Sequence, residues 1–309
     1  MRWLWLTLLL IPMPLLAASA VQAPSSVLEV RYPANDDTHD QRNGYFLALL
    51  SLALEETRKD YGDYQLVPVY GLTSQARSIS QLSRGLDLDL LWTMTSSARE
   101  QQLLPVRIPL LKGLMGYRLL IIRQQDAKKF TAIKTLAQLR QKVAGQGHDW
   151  PDVDILRANG IKVVTSVEYE SLFKLLESRR FDFMPRGINE PFVELAARPQ
   201  LGLMVEPHLA LYYPAAEYFF VNKDNQTLAA RLHEGLSRAL QDGRFDELFF
   251  HYPANAEAFA KAQLNKRTLI VLKNPLLPKA TPLDQKELWF FPPNLPKDEL
   301  PKDTAPAAH

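Results

Sequence analysis

The chain contains no cysteine, which excludes disulfides, thiolate metal ligands and a cysteine nucleophile. Neither sign of charge dominates: 36 Lys and Arg stand against 34 Asp and Glu, a formal net charge of +2. No basic stripe with interleaved aromatics appears, so nucleic acid is not an expected partner. Beyond the N-terminus no apolar run approaches the length that spans a bilayer. Nucleophile-elbow, phosphate-loop and zinc signatures are missing as well. The acidic run Asp36-Asp37-Thr38-His39-Asp40 has neither the paired His of zinc sites nor the periodic acids and turn Gly of a calcium loop. His233-Glu234 lacks a second His at helical spacing. No metal and no other cofactor is expected.

With 309 residues, 47% of them hydrophobic and 23% charged, the chain has ordinary globular values and enough length for two lobes. Its first residues, MRWLWLTLLLIPMPLLAASAVQAP, combine Arg2, an apolar core from Trp3 to Leu16 and small residues at Ala18 and Ala20. That is the grammar of a cleaved signal over residues 1–20, with Ala18-Ser19-Ala20 as the processing site and Val21-Gln22-Ala23 as a second one. No cysteine follows the apolar core, so a lipid anchor is not expected. The reading is an exported, periplasmic protein.

Apolar runs and turn signals then alternate. Val27–Tyr32 reads as a strand, Gly44–Asp60 as a largely buried helix, Gln65–Tyr70 as a strand, Ser74–Arg84 as a helix and Leu86–Trp92 as a strand. Two successive β-α-β units argue for an α/β fold built on a parallel sheet. A second series follows from Gly116–Ile122. It includes a short strand at Val143-Ala144, a turn at Gly145-Gln146-Gly147 and strands at Ile161–Val164 and Phe181–Met184, closing with the long strand Ala215–Val221. Thr227–Gln241 is an amphipathic helix, and Thr268–Leu272 reads as a late strand. From Pro293 onward the chain is Pro, Lys, Asp and Ala, which reads as a disordered tail over residues 293–309.

The stretch from Ser80 to Arg123 organises the rest. Its strand ends in the polar cluster Thr93, Thr95, Ser96, Ser97 and Arg99. In open α/β sheets ligands sit outside the carboxyl ends of strands, and a hydroxyl-rich loop with one Arg there suits a carboxylate. The alternative is that Ser96 or Ser97 caps a short helix while Arg99 pairs on the surface.

The order of these pieces resembles the amino-acid-type (family 3) periplasmic solute-binding proteins. The resemblance rests on Gly85-Leu86-Asp87, the loop Leu90–Arg99, Pro109-Leu110-Leu111, the helix Leu172–Arg180 running into Phe181-Asp182-Phe183, and the ending Phe219-Phe220-Val221, Leu228–Leu240, Gly243–Leu248. It covers roughly Val27 to Tyr252. It implies a two-lobed, type II periplasmic-binding-protein-like fold, each lobe a mostly parallel sheet flanked by helices, joined by two crossing strands around a closing cleft. By that analogy residues 27–117 plus 224–290 form lobe one and residues 118–223 lobe two.

The resemblance also implies site residues. Thr93, Thr95 and Arg99, with Ser96, match the loop that holds a ligand α-carboxylate, although three residues separate Thr95 from Arg99 where the family has two. Gly147, His148 and Trp150 match the lobe-two loop that enters a helix, and the alternative there is an ordinary helix start with Trp150 as packing. The family places a second acid about five residues after the strand Asp; here that position is Gly187, and the loop offers Arg186, Asn189 and Glu190 instead. Glu190 either replaces the missing acid or pairs with Arg186 at i,i+4 spacing. Arg186 and Arg99 together in the cleft would favour an anionic ligand. Arg42 and Tyr45 follow the first strand, where the family places a ligand-facing aromatic; packing at the helix start is the alternative for Tyr45.

The expected function is capture of a small polar or anionic solute, an amino acid or related carboxylate, for transport or sensing. The expected partners are that solute and a membrane permease or sensor, with the protein a monomer. A dehydratase-like periplasmic enzyme on the same fold and an interaction module with a degenerate cleft are the competing readings. The segment Thr268–Pro292 lies beyond the usual family ending, and its Trp289-Phe290-Phe291 cluster needs burial, as a brace on lobe one or as a docking element.

Overall fold

The computed structural model describes residues 27–34, 43–72, 74–293 and 295. The expected signal segment, the acidic loop with Arg42 and all of the expected tail except Pro293 and Leu295 lie outside the described residues. Among the described residues no helix is long and apolar enough to cross a membrane.

The first strands, β1 (Leu28–Pro33) and β2 (Tyr64–Val69), pair in parallel. Between them the helix Gly44–Glu56 buries Phe46, Leu49, Leu50, Ala53 and Leu54, the one-sided spacing of a helix laid on a sheet. The helix Gln75–Ser83, N-capped by the Ser74 hydroxyl, leads to β3 (Leu90–Met94). Arg31 donates its backbone N–H to the Asp89 carboxylate at 2.8 Å, and the Asp89 N–H donates to the Arg31 carbonyl at 2.9 Å, which joins β1 to the start of β3. The short helix Ser97–Gln102 and β4 (Leu104–Val106) complete this part.

The chain then crosses into a second sheet through β5 (Tyr117–Arg123), which is buried along its whole length. Here β6 (Val143–Gly147), β7 (Lys162–Ser166), β8 (Phe183–Gly187), β9 (Leu203–Val205) and β10 (Leu209–Tyr212) assemble around it. It returns through β11 (Glu217–Val221), which lies between β3 and β4. A last strand, β12 (Thr268–Val271), runs parallel to β10, so the second sheet reads β12-β10-β5-β8-β6-β7 with β9 also on β5. The two crossing segments lie side by side. Tyr213 donates its N–H to the Gly116 carbonyl at 3.2 Å. A Cβ on Gly116 would sit 2.2 Å from the Tyr213 carbonyl oxygen, so only glycine permits this approach.

Several expectations are corrected. The strand expected to close lobe two, β11, belongs to a three-stranded sheet with β3 and β4 on the first-lobe side, where its Tyr218–Val221 run is the buried centre between two partners. The late strand, expected with lobe one, belongs to the second sheet, where it pairs with the outer side of β10. Parallel pairs (β1 with β2, β6 with β7 and β8, β10 with β12) are joined by antiparallel ones wherever a crossing strand enters: β11 against β3 and β4, and β5 against β8, β9 and β10. The Gly145–Gly147 turn is strand, part of β6. Leu295, placed in the expected tail, is buried in the same core as Trp289.

Candidate functional site

Between the two lobes lies a cleft of about 870 Å³, lined from the first lobe by the end of β3 and from the second by the loops after β6 and β8. Strand ends gather there because the α/β connections place loops and helix starts beyond them.

Arg99 stands on the short helix that follows β3. Ser96 caps this helix, accepting the Arg99 N–H on its hydroxyl at 3.2 Å. The Arg99 guanidinium is buried and lines the cleft. It donates to the Thr93 hydroxyl at 2.7 Å, the Met94 carbonyl at 2.7 Å and the Gln75 side-chain carbonyl at 2.7 Å. All of these acceptors are neutral. Its Nε–H and one Nη2–H are left without a partner among the described residues, and no carboxylate there lies within ion-pair distance of it. Burial lowers its pKa, and the more distant Asp149, Glu217 and Asp152 pull the other way without restoring it. A guanidinium held rigid, desolvated and unneutralised is a receptor for an anion.

The second lobe is organised differently. Arg186, at the end of β8, is buried and donates from Nε to Glu194 at 2.9 Å and from Nη2 to Glu190 at 2.8 Å and to Glu194 at 2.6 Å. Its guanidinium also lies over the Trp150 ring, 4.6 Å from the centroid. Burial alone would lower its pKa, but Glu190 and Glu194 raise it above the ordinary value. Glu190 accepts the Gly187 N–H at 2.5 Å as well. Burial pushes the Glu190 carboxyl up, against the pull of Arg186.

Gly147 makes room for the indole: a Cβ there would lie 2.5 Å from Trp150 Cε2. At the crossing, Arg118 on β5 pairs with Asp152 at 3.0 Å and with Tyr213 at 2.7 Å. Tyr213 in turn donates its hydroxyl to Asp152. The neighbouring strand β11 opens with Glu217, whose carboxyl faces the same cleft.

The cleft thus brings together Thr93, Arg99, Gly147, His148, Trp150, Arg186 and Glu190 among the expected residues. Others are used elsewhere. Thr95 is buried and donates to Glu100 at 2.8 Å. Ser96 serves as the helix cap. Tyr45 does not reach the cleft: it is buried, donates to the Leu110 carbonyl at 2.7 Å and packs edge-on against Tyr252. Arg42 lies outside the described residues. Arg99 and Arg186 both line the cleft, as the expectation of two arginines supposed, but Arg186 already holds two carboxylates, Glu190 and Glu194. Glu190 is likewise committed to Arg186, as the i,i+4 alternative supposed. Gln75, Arg118 and Glu217 were not anticipated. Two of them carried a signal, a charge at the start of an apolar run: Arg118 in YRLLII and Glu217 in AAEYFFV.

No protein-family model and no curated protein sequence matches the chain. Solved structures do. An ancestral arginine-binding protein bound to arginine superimposes with a TM-score of 0.52 at 17% identity, over 72% of this chain and 96% of that one. A Salmonella typhimurium periplasmic binding protein of high arginine specificity gives 0.54 at 16%, over 72% and 97%. The GluR0 ligand-binding core in complex with L-glutamate gives 0.54 at 16%, over 74% and 98%. At these identities the likeness speaks for the fold: the chain has the two-lobed α/β fold of the amino-acid-type periplasmic binding proteins.

Proposed function

We propose that the protein is an exported solute-binding protein that holds a carboxylate-bearing small molecule in the cleft, with the carboxylate on Arg99. One observation carries this reading: Arg99 is a buried guanidinium in a cleft, fixed by three neutral acceptors and paired with no acid among the described residues. Leaving a charge buried and unpaired is expensive, and an anionic group seated on the two free donors offsets that cost. Thr93 and Gln75 hold the guanidinium plane so that little side-chain entropy remains to be lost on binding. The proteins of similar fold bind arginine or glutamate, in keeping with a solute of amino-acid size. The signal-like N-terminus supports a periplasmic location, and delivery to a permease or a sensor is the corresponding role.

The test is a thermal-shift screen of the mature chain against amino acids, dicarboxylates, short peptides and aromatic acids. A solute at about 100 times its dissociation constant adds ~2.7 kcal/mol to stability, a readily visible shift. The expected result is a hit among carboxylates that disappears in Arg99→Ala. A screen with no hit, or a hit indifferent to Arg99→Ala, contradicts the reading.

A further inference from the structure

The crossing strand β11 sets an acid into the wall of the cleft. Glu217 is its first residue, paired in antiparallel register with Met94, and its carbonyl accepts the Leu110 N–H at 2.9 Å. The backbone is thereby fixed, and the side chain lines the cleft. Met94 is also the residue whose carbonyl holds the Arg99 guanidinium at 2.7 Å, so one residue of β3 positions both the acid and the arginine. Glu217 Oε2 is nevertheless buried and has no hydrogen-bond partner.

An ionised carboxylate is costly to bury without donors, whereas the neutral acid avoids most of that cost and has an O–H to donate. The charges around Glu217 do not rescue the ionised form. Arg118 on β5 is taken by Asp152 and Tyr213, Glu190 adds a like charge from the loop after β8, and Asp149 lines the same cleft from the loop after β6. The strands on either side, β3 and β4, contain no titratable residue. The helix Gln226–Gln241 also packs on β11; it buries Leu228, Leu232 and Leu236, while its Arg231 and Arg238 bond to Thr57 and Asp60. Burial and the Glu190 carboxylate push the Glu217 carboxyl up to about 8, with Arg118 and Arg99 pulling the other way.

We propose that capture is proton-linked through Glu217: its neutral carboxyl donates a hydrogen bond to the solute carboxylate seated on Arg99, and loss of that proton weakens binding. This rests on the carboxylate reading above and adds a second donor and a pH dependence to it. A carboxylate has about four lone-pair sites, enough for the free Arg99 donors and one further O–H. Ionised, Glu217 would instead set two carboxylates side by side. The sign follows. An anion beside Glu217 favours its protonated form, so binding takes up a proton wherever the free protein is partly ionised, and affinity falls as pH rises through about 8.

Glutarate, 3-phenylpropanoate, L-glutamate and L-phenylalanine are titrated calorimetrically into the mature chain, Glu217→Gln, Glu217→Met and Arg99→Ala. The wild type is expected to bind at least one of them about 10-fold more weakly at pH 9 than at pH 7. Glu217→Gln has a donor that cannot ionise, so that fall is abolished; titration of a solute's own amine appears in both proteins and cancels. Glu217→Met has no donor and is expected to bind more weakly than Glu217→Gln at both values. Should Glu217→Met fold poorly, the wild type against Glu217→Gln carries the test alone. Near pH 8, buffers of different ionisation enthalpy add a readout that a merely structural glutamate would not move: the wild type takes up about half a proton and Glu217→Gln none. A fall in affinity no steeper in the wild type than in Glu217→Gln, or a proton released instead of taken up, overturns the inference. Loss of the same binding in Arg99→Ala then leaves the Arg99 reading standing. Binding by no probe at all contradicts the Arg99 reading itself, and the proton linkage falls with it.

Discussion

Ser97, the first residue of the helix that carries Arg99, donates its backbone N–H to the carbonyl of Leu276 at 3.0 Å. Leu276 follows β12 of the second sheet, so this bond ties the proposed carboxylate site to the opposite lobe. Asn274 adds a bond to the Pro214 carbonyl at 2.8 Å, and Asn159 binds both the carbonyl and the N–H of Lys273. Beyond the two crossing strands, the chain therefore spans the lobes again through this C-terminal segment. Lobe opening of the hinge kind has to move these bonds as well as two backbone pivots. The protein is free of cysteine, so spin labels can be placed at will on exposed Arg77 and Lys174, one on each lobe. The expected interlobe distance distribution is narrow in the ligand-free protein. It broadens after cleavage at a protease site inserted beside exposed Lys279. A broad distribution in the uncut protein, unaltered by the cut, contradicts the bracing role.

The same segment is anchored by Trp289. Lys112 and Gly113 both take left-handed backbone angles, φ 46° and 73°, and the indole packs where a Cβ on Gly113 would lie 2.4 Å from Cε3. Trp289 donates from Nε1 to the Pro282 carbonyl at 2.8 Å, and the next residue, Phe290, donates its N–H to the Lys112 carbonyl at 2.7 Å. Trp289→Ala is expected to cost about 3 kcal/mol, the lower end for emptying a buried aromatic site. Gly113→Ala is expected to be destabilising for two separate reasons, backbone strain and displacement of the indole. Urea midpoints measure both; a change under ~0.5 kcal/mol for Trp289→Ala, the range of ordinary surface substitutions, contradicts this anchoring.

Glu217 carries a stability signature whose sign is unusual for an acid. Its folded-state pKa, about 8, lies above the ordinary glutamate value of about 4.3. Between those values the folded chain holds a proton that the unfolded chain has lost, so this group lowers stability progressively as pH rises from about 4.3 to about 8. Glu217→Gln removes the penalty. It is expected to raise the melting temperature more at pH 8 than at pH 5. A gain independent of pH, or a loss at pH 8, contradicts the assigned burial of this carboxyl.

Arg186 is predicted to be structural where Arg99 is functional. Glu194→Ala leaves a buried guanidinium short of one carboxylate and is expected to cost about 3 kcal/mol. Gly147→Ala drives a Cβ into the Trp150 ring and so shifts the surface on which Arg186 rests. Its expected effect is weaker solute binding with a smaller change in stability. Denaturant unfolding and titration of the same variants separate the two; unaltered stability in Glu194→Ala contradicts the structural assignment.

Much of the fold was legible because buried strands and amphipathic helices leave apolar runs of fixed length. Leu49, Leu50, Ala53 and Leu54 announce their helix, and β5 and β11 announce themselves as apolar runs. Sheet membership was not legible. Nothing in TLIV says that β12 pairs with β10 rather than serving lobe one, because pairing depends on which sheet edge lies nearby. In the site, Thr93 and Arg99 were readable from local spacing and from the resemblance. Tyr45 stayed open between a ligand-facing and a packing reading because an aromatic at a helix start looks the same whether it faces a ligand or, as here, the Leu110 carbonyl. The commitment of Arg186 to Glu194 and the freedom of Glu217 are matters of three-dimensional neutralisation. A sequence shows which charges exist but not which of them meet.

The most direct test of the central claim is a crystal structure with the tightest-binding solute of the screen. The account predicts a solute carboxylate oxygen within ordinary hydrogen-bond distance, about 3 Å, of the Arg99 guanidinium, with Arg186 still held by Glu190 and Glu194. A solute whose carboxylate rests on Arg186 or Arg118, or that binds outside the cleft, would contradict it.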